Sequence, residues 1–214
     1  MSTVAMRQPE AGTTQRTLYR LSVAQYHAMM KAGVLQEGEK VELLEGLLVE
    51  KMTRYPPHDG TIALLNRLLM RRISDEWSLR GQSAITTVDS EPEPDLVIAV
   101  GPDARYLGVH PVPADVALVI EVADSSVDAD RTLSQRIYAR ARLPIYWIVN
   151  IPERQIEVYT QPRAGRNPAY RQRRDYRPGE SVPLILAGEE IGSIPVENIL
   201  PRLLFPEAGH DDLP

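Results

Sequence analysis

The sequence predicts an α/β fold bordering on α+β, in which a mixed central sheet is flanked by helices. Two strongly apolar runs, residues 117–122 and 145–149, are typical of strands that are buried on both faces. Residues 130–141, which lie between these runs, space their apolar side chains as a helix does. The predicted order of elements along the chain is therefore helix, hairpin, helix, strands, helix and strand pair.

Cap and turn residues divide the chain into its predicted elements. Ser22 has the side chain of a helix N-cap, and either Asp59 or Thr61 caps the second helix. The pair Glu45-Gly46 indicates the turn of a hairpin. In chain order, we predict a helix from residue 22, strands at 41–44 and 47–50, a loop at 56–57, a helix from residue 59 or 61 to about residue 77, strands at 83–88, 96–100 and 117–122, a helix at 130–141, strands at 145–149 and 156–160, an arginine-rich loop at 163–177 and two short late strands.

The composition indicates one domain. With 214 residues, of which 43% are hydrophobic and 25% are charged, the chain is long enough to build a core. We assign residues 17–204 to the domain, 1–16 to a disordered arm and 205–214 to a flexible tail. The absence of cysteine excludes disulfides and thiolate zinc sites, and the net charge of −5 argues against a general polyanion-binding surface. No run of ~18 apolar residues and no hydrophobic signal core occurs, so we expect a cytoplasmic protein without a membrane segment.

Two carboxylates stand on strand-like apolar runs. Asp95 heads the run at 96–100, and Glu121 lies inside the run at 117–122. An ionised group in such a run is costly to bury unless a partner or a metal compensates it. Two acidic groups at the ends of adjacent strands can hold a divalent cation that activates water. The alternative is that Asp95 caps a turn and that Glu121 pairs with an arginine, Arg131 or Arg140.

An ordered set of segments carries a family resemblance that extends over residues 18–202. The set begins with the hairpin at 41–50 and His58, and it continues through Pro94-Asp95-Leu96 and residues 120–126. It ends with Asp130-Arg131, Tyr138-Ala139-Arg140-Ala141 and residues 143–150. Together these segments resemble the Uma-two family of restriction endonucleases, in the PD-(D/E)XK nuclease-like superfamily.

The resemblance implies a restriction-endonuclease-like fold and a metal-dependent site. Asp95 and Glu121 would bind Mg²⁺ or Mn²⁺ for the hydrolysis of DNA, and two copies of the chain would form a homodimer. Glu42 would be a third ligand, directly or through water; otherwise it is a solvent-facing strand residue. His58 would polarise water or contact phosphate; otherwise it is a hydrogen-bonding group at the start of a helix.

The lysine that the resemblance implies is absent. The superfamily places it two residues after the glutamate, where this chain has Ala123. The Uma-two family places it on the following helix, where this chain has Ser134. The only lysines are Lys31, Lys40 and Lys51. Arg131, on the same helix as Ser134, is the expected substitute, although arginine supplies charge and not proton transfer; otherwise it is solvated or paired with a glutamate.

Three functions therefore stay open at this point. The first is a metal-dependent endonuclease whose activity is weak or lost without the lysine. The second is a degenerate nuclease fold that binds metal or nucleic acid without turnover. The third is a structural or interaction protein whose carboxylates satisfy arginines. A cation near the two carboxylates distinguishes the first from the second, and the arginines at 163–177 either follow a DNA backbone or form a solvated loop.

Overall fold

The structure, a computed structural model, describes residues 17–36, 38–51 and 55–200. The N-terminal half contains α1 (Val23–Lys31), β1 (Val41–Leu44), β2 (Leu47–Glu50), α2 (Pro56–Met70), β3 (Trp77–Gly81) and β4 (Leu96–Val100). The C-terminal half contains β5 (Val116–Ala123), the helical segment α3 (127–140), β6 (Ile145–Asn150), β7 (Gln155–Arg163), β8 (Ala169–Tyr176), β9 (Ser181–Leu186), β10 (Glu189–Pro195) and α4 (Val196–Ile199). The predicted arm at 1–16 and tail at 205–214 lie outside the described residues.

The centre of the fold is a six-stranded mixed sheet with the order β3-β4-β5-β6-β7-β8. Among the described strands of this sheet, β5 and β6 form the one parallel pair, and the α3 segment makes the crossover between them. The pairs β1–β2 and β9–β10 form separate antiparallel hairpins. This mixed sheet flanked by helices confirms the predicted fold class. No helix among the described residues is long and apolar enough to cross a membrane.

The two faces of the sheet have separate cores. One face packs against α2 and the β9–β10 hairpin, and the other packs against α3 and β1. Val119 and Ala123 of β5 belong to the α3 face, so the alternation of side chains along a strand directs Glu121 to that face as well. Val97 of β4 also belongs to the α3 face, which places Asp95 there by the same rule. The two carboxylates thus share one side of the sheet.

The β1–β2 hairpin is anchored above the α3 face through its turn. Glu45 and Gly46 both have positive φ, 49° and 76°, as a tight hairpin turn requires. Gly46 is also required sterically, because a Cβ atom there would lie 2.7 Å from the Cβ of Arg20. Glu45 accepts two hydrogen bonds from Arg136 (2.8 and 2.7 Å) and another from Arg140. These ion pairs join the hairpin to α3.

The prediction for the second helix was wrong at both ends. Its expected range, from residue 59 or 61 to about residue 77, becomes α2, which begins at Pro56 after the N-cap Tyr55. Proline fits the first helical turn because the N–H it lacks has no helical partner there. Trp77, the expected end of the helix, instead begins strand β3.

The prediction for two further segments was also wrong. Residues 83–88 do not form a strand; Thr87 and Ser90 close a turn there, with a hydrogen bond of 2.9 Å between their backbones. The arginine-rich segment expected as a loop contains β8, one of the two edge strands of the sheet. Its arginines are mostly exposed, and charged side chains are common on strands that have no second neighbour.

The crossover helix contains an irregular turn beside the strand ends. Its segments are Val127–Ala129, a π-helical turn at Asp130–Ser134 and a regular stretch at Gln135–Arg140. π-Helical turns are rare and are frequent at functional sites. The π-helical turn carries both Asp130 and the predicted site residue Ser134.

Candidate active site

Asp95 and Glu121 face each other where the β4–β5 ladder ends. Leu96 pairs with Ile120 in this antiparallel ladder, so Asp95 comes opposite Glu121 one step further along. The backbone N–H of Asp95 donates to Oε2 of Glu121 (3.1 Å), and the backbone N–H of Val122 donates to Oδ2 of Asp95 (2.8 Å). The two carboxylates therefore lie side by side in one pocket, which they line together.

Glu121 is held by a tyrosine and strongly perturbed by its surroundings. The hydroxyl of Tyr138 on α3 donates to Oε1 of Glu121 (2.6 Å). Burial raises the pKa of Glu121 well above its usual value, and the charges of Asp95 and Asp130 raise it further. The hydrogen bond from Tyr138 opposes this shift because it favours the carboxylate. The alternative in which Glu121 pairs with an arginine does not describe this environment.

Asp130 is a third carboxylate of the pocket, for which the sequence predicted no role. It lies on the π-helical turn, is 7% exposed and lines the same pocket as Asp95 and Glu121. Ser126 and Ser134 donate to its two oxygens, over 2.7 and 3.2 Å. Burial raises the pKa of Asp130 to about 6, because the serine hydrogen bonds only partly offset the lost hydration and the charge of Asp95 adds to the shift.

The predicted site residues Glu42, His58 and Ser134 also line this pocket. His58, in the first turn of α2, is buried and is hydrogen-bonded through Nε2 to Oδ2 of Asp95 (3.1 Å). Glu42 of β1 accepts the backbone N–H of Glu93 at Oε2 (3.0 Å). Glu42 is therefore not simply a solvent-facing strand residue, and His58 is joined directly to Asp95.

Arg131 forms ion pairs with two glutamates, Glu153 and Glu157. Its guanidinium donates to Glu157 of β7, with contacts of 2.5 and 3.1 Å, and to Glu153 (2.8 Å). Glu157 is fully buried, so its carboxylate would be an unpaired charge in the core without a cation. The guanidinium of Arg131 neutralises this charge. These contacts are those of the alternative, in which Arg131 pairs with a glutamate, and its substitution for the missing lysine stays a prediction.

Lys51 is a cation of the pocket, for which the sequence predicted no role. It follows β2 directly, and its side chain lines the pocket together with Asp95 and Glu121. Its ammonium pairs with the carboxylate of Glu93, another lining residue. A positive charge therefore lines the pocket from the β1–β2 hairpin, whereas Ser134 lines it from α3.

Comparisons with known proteins bear on the identity of this pocket. Residues 23–196 match the model of the family Uma2, described as "putative restriction endonuclease". The chain belongs to the Uma2 family. Among solved structures, the chain is similar to a crystal structure described as a putative nuclease belonging to DUF820 from Anabaena variabilis ATCC 29413, with a TM-score of 0.52 and 13% identity over 78% of this chain and 93% of that one. That identity supports the shared fold alone, and no curated protein matches the chain.

The donor set of this Uma2 pocket fits a divalent cation. Asp95 and Glu121 offer hard oxygen ligands on one side of the sheet, and a bound cation would relieve the repulsion that adds to burial in raising the pKa of Glu121. Within the described part of the chain, no three acidic or histidine side chains already form a ligand cluster. Mg²⁺ is commonly bound through one or two carboxylates and keeps several waters, so two protein ligands suffice for it.

The sequence signals for the two missed residues differ in kind. Asp130 heads the Asp-Arg pair that carries part of the Uma2 resemblance, so its position was visible although its role was not. Lys51 gives no local signal, because only the folding of the hairpin over the sheet brings it to the pocket. The aromatic residues Tyr138 and Trp147 are both buried, at 1% exposure each. Tyr138 serves the site through its hydroxyl.

Proposed function

We propose that this Uma2 protein is a metal-dependent endonuclease that hydrolyses phosphodiester bonds of DNA at the Asp95–Glu121 pocket. The observation that carries the proposal is the placement of these two carboxylates side by side, each accepting a backbone N–H from the strand of the other. Gathering acidic groups in a buried pocket costs free energy, so stability alone is a weak explanation for their placement. Membership of a restriction endonuclease family supports DNA as the substrate.

Asp95 and Glu121 are the proposed ligands of Mg²⁺ or Mn²⁺, with Glu42 as a ligand through water. When bound, the ion supplies Lewis acidity and lowers the pKa of bound water. Tyr138 holds Glu121 in place, and the N–H of Val122 fixes Asp95. In the hydrolysis, the oxygen of one water bonds to phosphorus, one P–O ester bond breaks, and the leaving oxygen takes a proton. The products are a phosphate monoester and a hydroxyl group.

Nicking of supercoiled plasmid tests the proposal. The native protein should nick in Mg²⁺ or Mn²⁺ and stop when a chelator removes the ion. Glu121→Ala and Asp95→Asn should lose the activity, because each removes a ligand. Glu190→Gln, a change of the same type at an exposed site on β10, should leave it intact. Nicking that survives both ligand substitutions would overturn the proposal.

A second candidate is a degenerate nuclease fold that binds metal or nucleic acid without turnover. The observation that favours it is Ser134, which occupies the position of the family lysine and donates to Asp130 instead of providing a positive charge. The same experiment separates the two functions. If the native protein did not nick plasmid but Ser134→Lys did, the chain would belong to this second class.

Two further expectations from the sequence form part of the proposal. A cytoplasmic location would give the enzyme access to DNA, and a homodimer would bring two such pockets to the two strands of a duplex. Light scattering after size-exclusion chromatography measures the mass of the assembly directly. A monomer in the presence and absence of DNA would remove the homodimer from the proposal while leaving the nicking activity untouched.

A further inference from the structure

The pocket carries more negative charge than a phosphate substrate can easily approach. Acidic side chains line each of its walls, among them Glu42, Glu93, Asp95, Glu121 and Asp130. Ionised carboxylates repel a phosphodiester, and the repulsion is strong where water is excluded. Positive charge from the protein is therefore needed beside the cation. Among the described residues that line the pocket, Lys51 is the one lysine or arginine.

We propose that Lys51 is the residue whose ammonium contacts the phosphate being cleaved, in place of the lysine that neither Ala123 nor Ser134 supplies. The inference rests on the proposed nuclease function and adds a catalytic residue to it. The charge comes from the β1–β2 hairpin and not from β5 or α3. A lysine at position 51 or at position 134 reaches the same pocket, because Lys51 and Ser134 both line it.

The hairpin directs Lys51 inward. Along β2 the exposure alternates, with Leu47 and Val49 partly buried and Leu48 and Glu50 exposed. Lys51 is next in this alternation and so shares the inward side with Val49. Its backbone N–H donates to the carbonyl oxygen of Lys40 (2.7 Å), which extends the pairing of the two strands by one step.

Glu93 ties the ammonium of Lys51 to the carboxylate cluster. Glu93 precedes Asp95 by two residues, and its backbone N–H donates to Glu42 (3.0 Å). The side chain of Lys51 is 22% exposed, so a substrate can reach the ammonium. The ion pair is only partly buried, and pairs that water can reach contribute modestly to stability, so a purely structural role is a weak explanation for its position.

In the part of the chain that the structure describes, the arginines of α3 serve other carboxylates. Arg131 is held by Glu153 and Glu157. Arg136 and Arg140 bind Glu45 at the hairpin turn, and Arg140 also binds an aspartate of the neighbouring loop. Their charges are thus neutralised at other points of the fold, while the partner of Lys51 lies in the pocket itself.

Plasmid nicking by four matched variants tests the role of Lys51. Lys51→Ala should slow nicking by about 100-fold, the usual loss when one charge-stabilising group of a transition state is removed. Lys51→Ala combined with Ser134→Lys should recover at least about tenfold of that loss, because the second lysine restores positive charge from the α3 wall. Lys51→Arg should retain part of the activity. Lys40→Ala, an exposed lysine on the same hairpin, should behave as the native protein.

Two binding measurements separate catalysis from a structural role. Calorimetric titration with Mg²⁺ should give Lys51→Ala an affinity equal to or above that of the native protein, because the variant removes a positive charge beside the carboxylates. DNA binding is compared between Glu121→Gln and Glu121→Gln/Lys51→Ala at several salt concentrations. The double variant should show a slope of log K against log salt that is smaller by about 0.9, the value for one lost phosphate contact.

Each outcome decides one of the two proposals. Nicking by Lys51→Ala within about threefold of the Lys40→Ala control would overturn the role of Lys51 and leave the nuclease function standing. Loss of Mg²⁺ binding in Lys51→Ala would also overturn it, because the ion pair would then be a structural tether. A native protein that does not nick overturns the nuclease function. In that case the salt dependence of DNA binding is the remaining test of Lys51. An unchanged slope of log K against log salt would overturn the proposed role of Lys51, and a smaller slope would support Lys51 as a phosphate contact.

Discussion

Asp95 and Glu121 lie opposite each other at the end of the β4–β5 ladder, and each side chain accepts a backbone N–H from the other strand. Glu121 accepts from Asp95 itself (3.1 Å), and Asp95 accepts from Val122 (2.8 Å). The positions of both carboxylates are thus fixed by the backbone of two central strands. A site placed on rigid strands keeps its geometry before any ion or substrate arrives.

Replacing Tyr138 with Phe should weaken Mg²⁺ binding by roughly tenfold at neutral pH. The hydroxyl of Tyr138 opposes the rise in the pKa of Glu121 that burial and the charge of Asp95 cause. Without this hydrogen bond Glu121 keeps its proton to a higher pH, and an incoming ion must displace that proton. Calorimetry at neutral and alkaline pH measures the effect, which should shrink as the pH rises.

Tyr170→Phe is the matched control for Tyr138→Phe. The Tyr170 hydroxyl donates to the carbonyl oxygen of Leu143 (2.8 Å), so its loss removes a tyrosine hydrogen bond without touching a carboxylate. Equal weakening of Mg²⁺ binding in the two variants would contradict a specific role for Tyr138.

Asp130→Asn should stabilise the protein near neutral pH in the absence of divalent ions. Burial raises the pKa of Asp130 from 3.8 to about 6, so the folded state holds this proton more tightly than the unfolded state does. The stability contributed by protonated Asp130 is complete below about pH 4 and is lost as the pH rises through about 6. We therefore expect a gain on the order of 2 kcal/mol at pH 7 and little gain at pH 4.

Urea unfolding at both pH values measures the free energy of unfolding of Asp130→Asn. Asp128→Asn, an exposed change on the same helical segment, serves as the control and should be neutral at both. The difference in free energy of unfolding between Asp130→Asn and the native protein should grow from pH 4 to pH 7. An equal difference at both pH values would contradict the raised pKa of Asp130.

The sequence predicted the sheet and its two carboxylates because both depend on local patterns. The apolar runs of β5 and β6 mark central strands, and an acid within such a run, as at Glu121, stands out because its burial is costly. The edge strand β8 was missed because its arginines are solvated and show no apolar alternation. The start of α2 was missed because Pro56 was interpreted as a loop residue, although proline also fits a first helical turn.

The remaining parts of the site depend on long-range packing that no local pattern encodes. Lys51 reaches the pocket because the turn residue Glu45 binds Arg136 and Arg140, which lie about ninety residues further along the chain. The charge of Arg131 is taken by Glu157, which is separated from it by strand β6 in sequence and meets it only in the folded sheet. Whether an arginine faces the pocket or the neighbouring strand could not be read from helical spacing.

Glu157→Gln should destabilise the protein and reduce its sensitivity to acid. Burial would raise the pKa of Glu157, but hydrogen bonds from Arg131, Asn150 and Tyr159 outweigh it and lower the pKa from 4.5 to about 2. The stability that the carboxylate contributes is complete above about pH 4.5 and is lost as the pH falls through about 2. Urea unfolding should give a loss of about 2–3 kcal/mol at pH 7 and a smaller loss at pH 3.

Glu153→Gln is the control for Glu157→Gln. Glu153 binds the same guanidinium of Arg131 (2.8 Å), but its side chain is about half exposed, so an ion pair there contributes little. If Glu153→Gln lowered the free energy of unfolding as much as Glu157→Gln, burial would not determine how much each carboxylate contributes to stability.

Arg131→Gln should lower stability while leaving the pocket intact, the opposite pattern to Lys51→Ala. The substitution leaves Glu157 fully buried without its main ionic partner, and we expect a loss of about 2 kcal/mol in the free energy of unfolding. Mg²⁺ affinity and plasmid nicking below the melting temperature should stay at native levels, because Arg131 contacts β7 and not the carboxylates of the pocket. If Arg131→Gln were as stable as the native protein but failed to nick, the missing charge would have to be assigned to Arg131 after all. The two substitutions measured side by side therefore show which of the two cations serves the fold and which serves the phosphate.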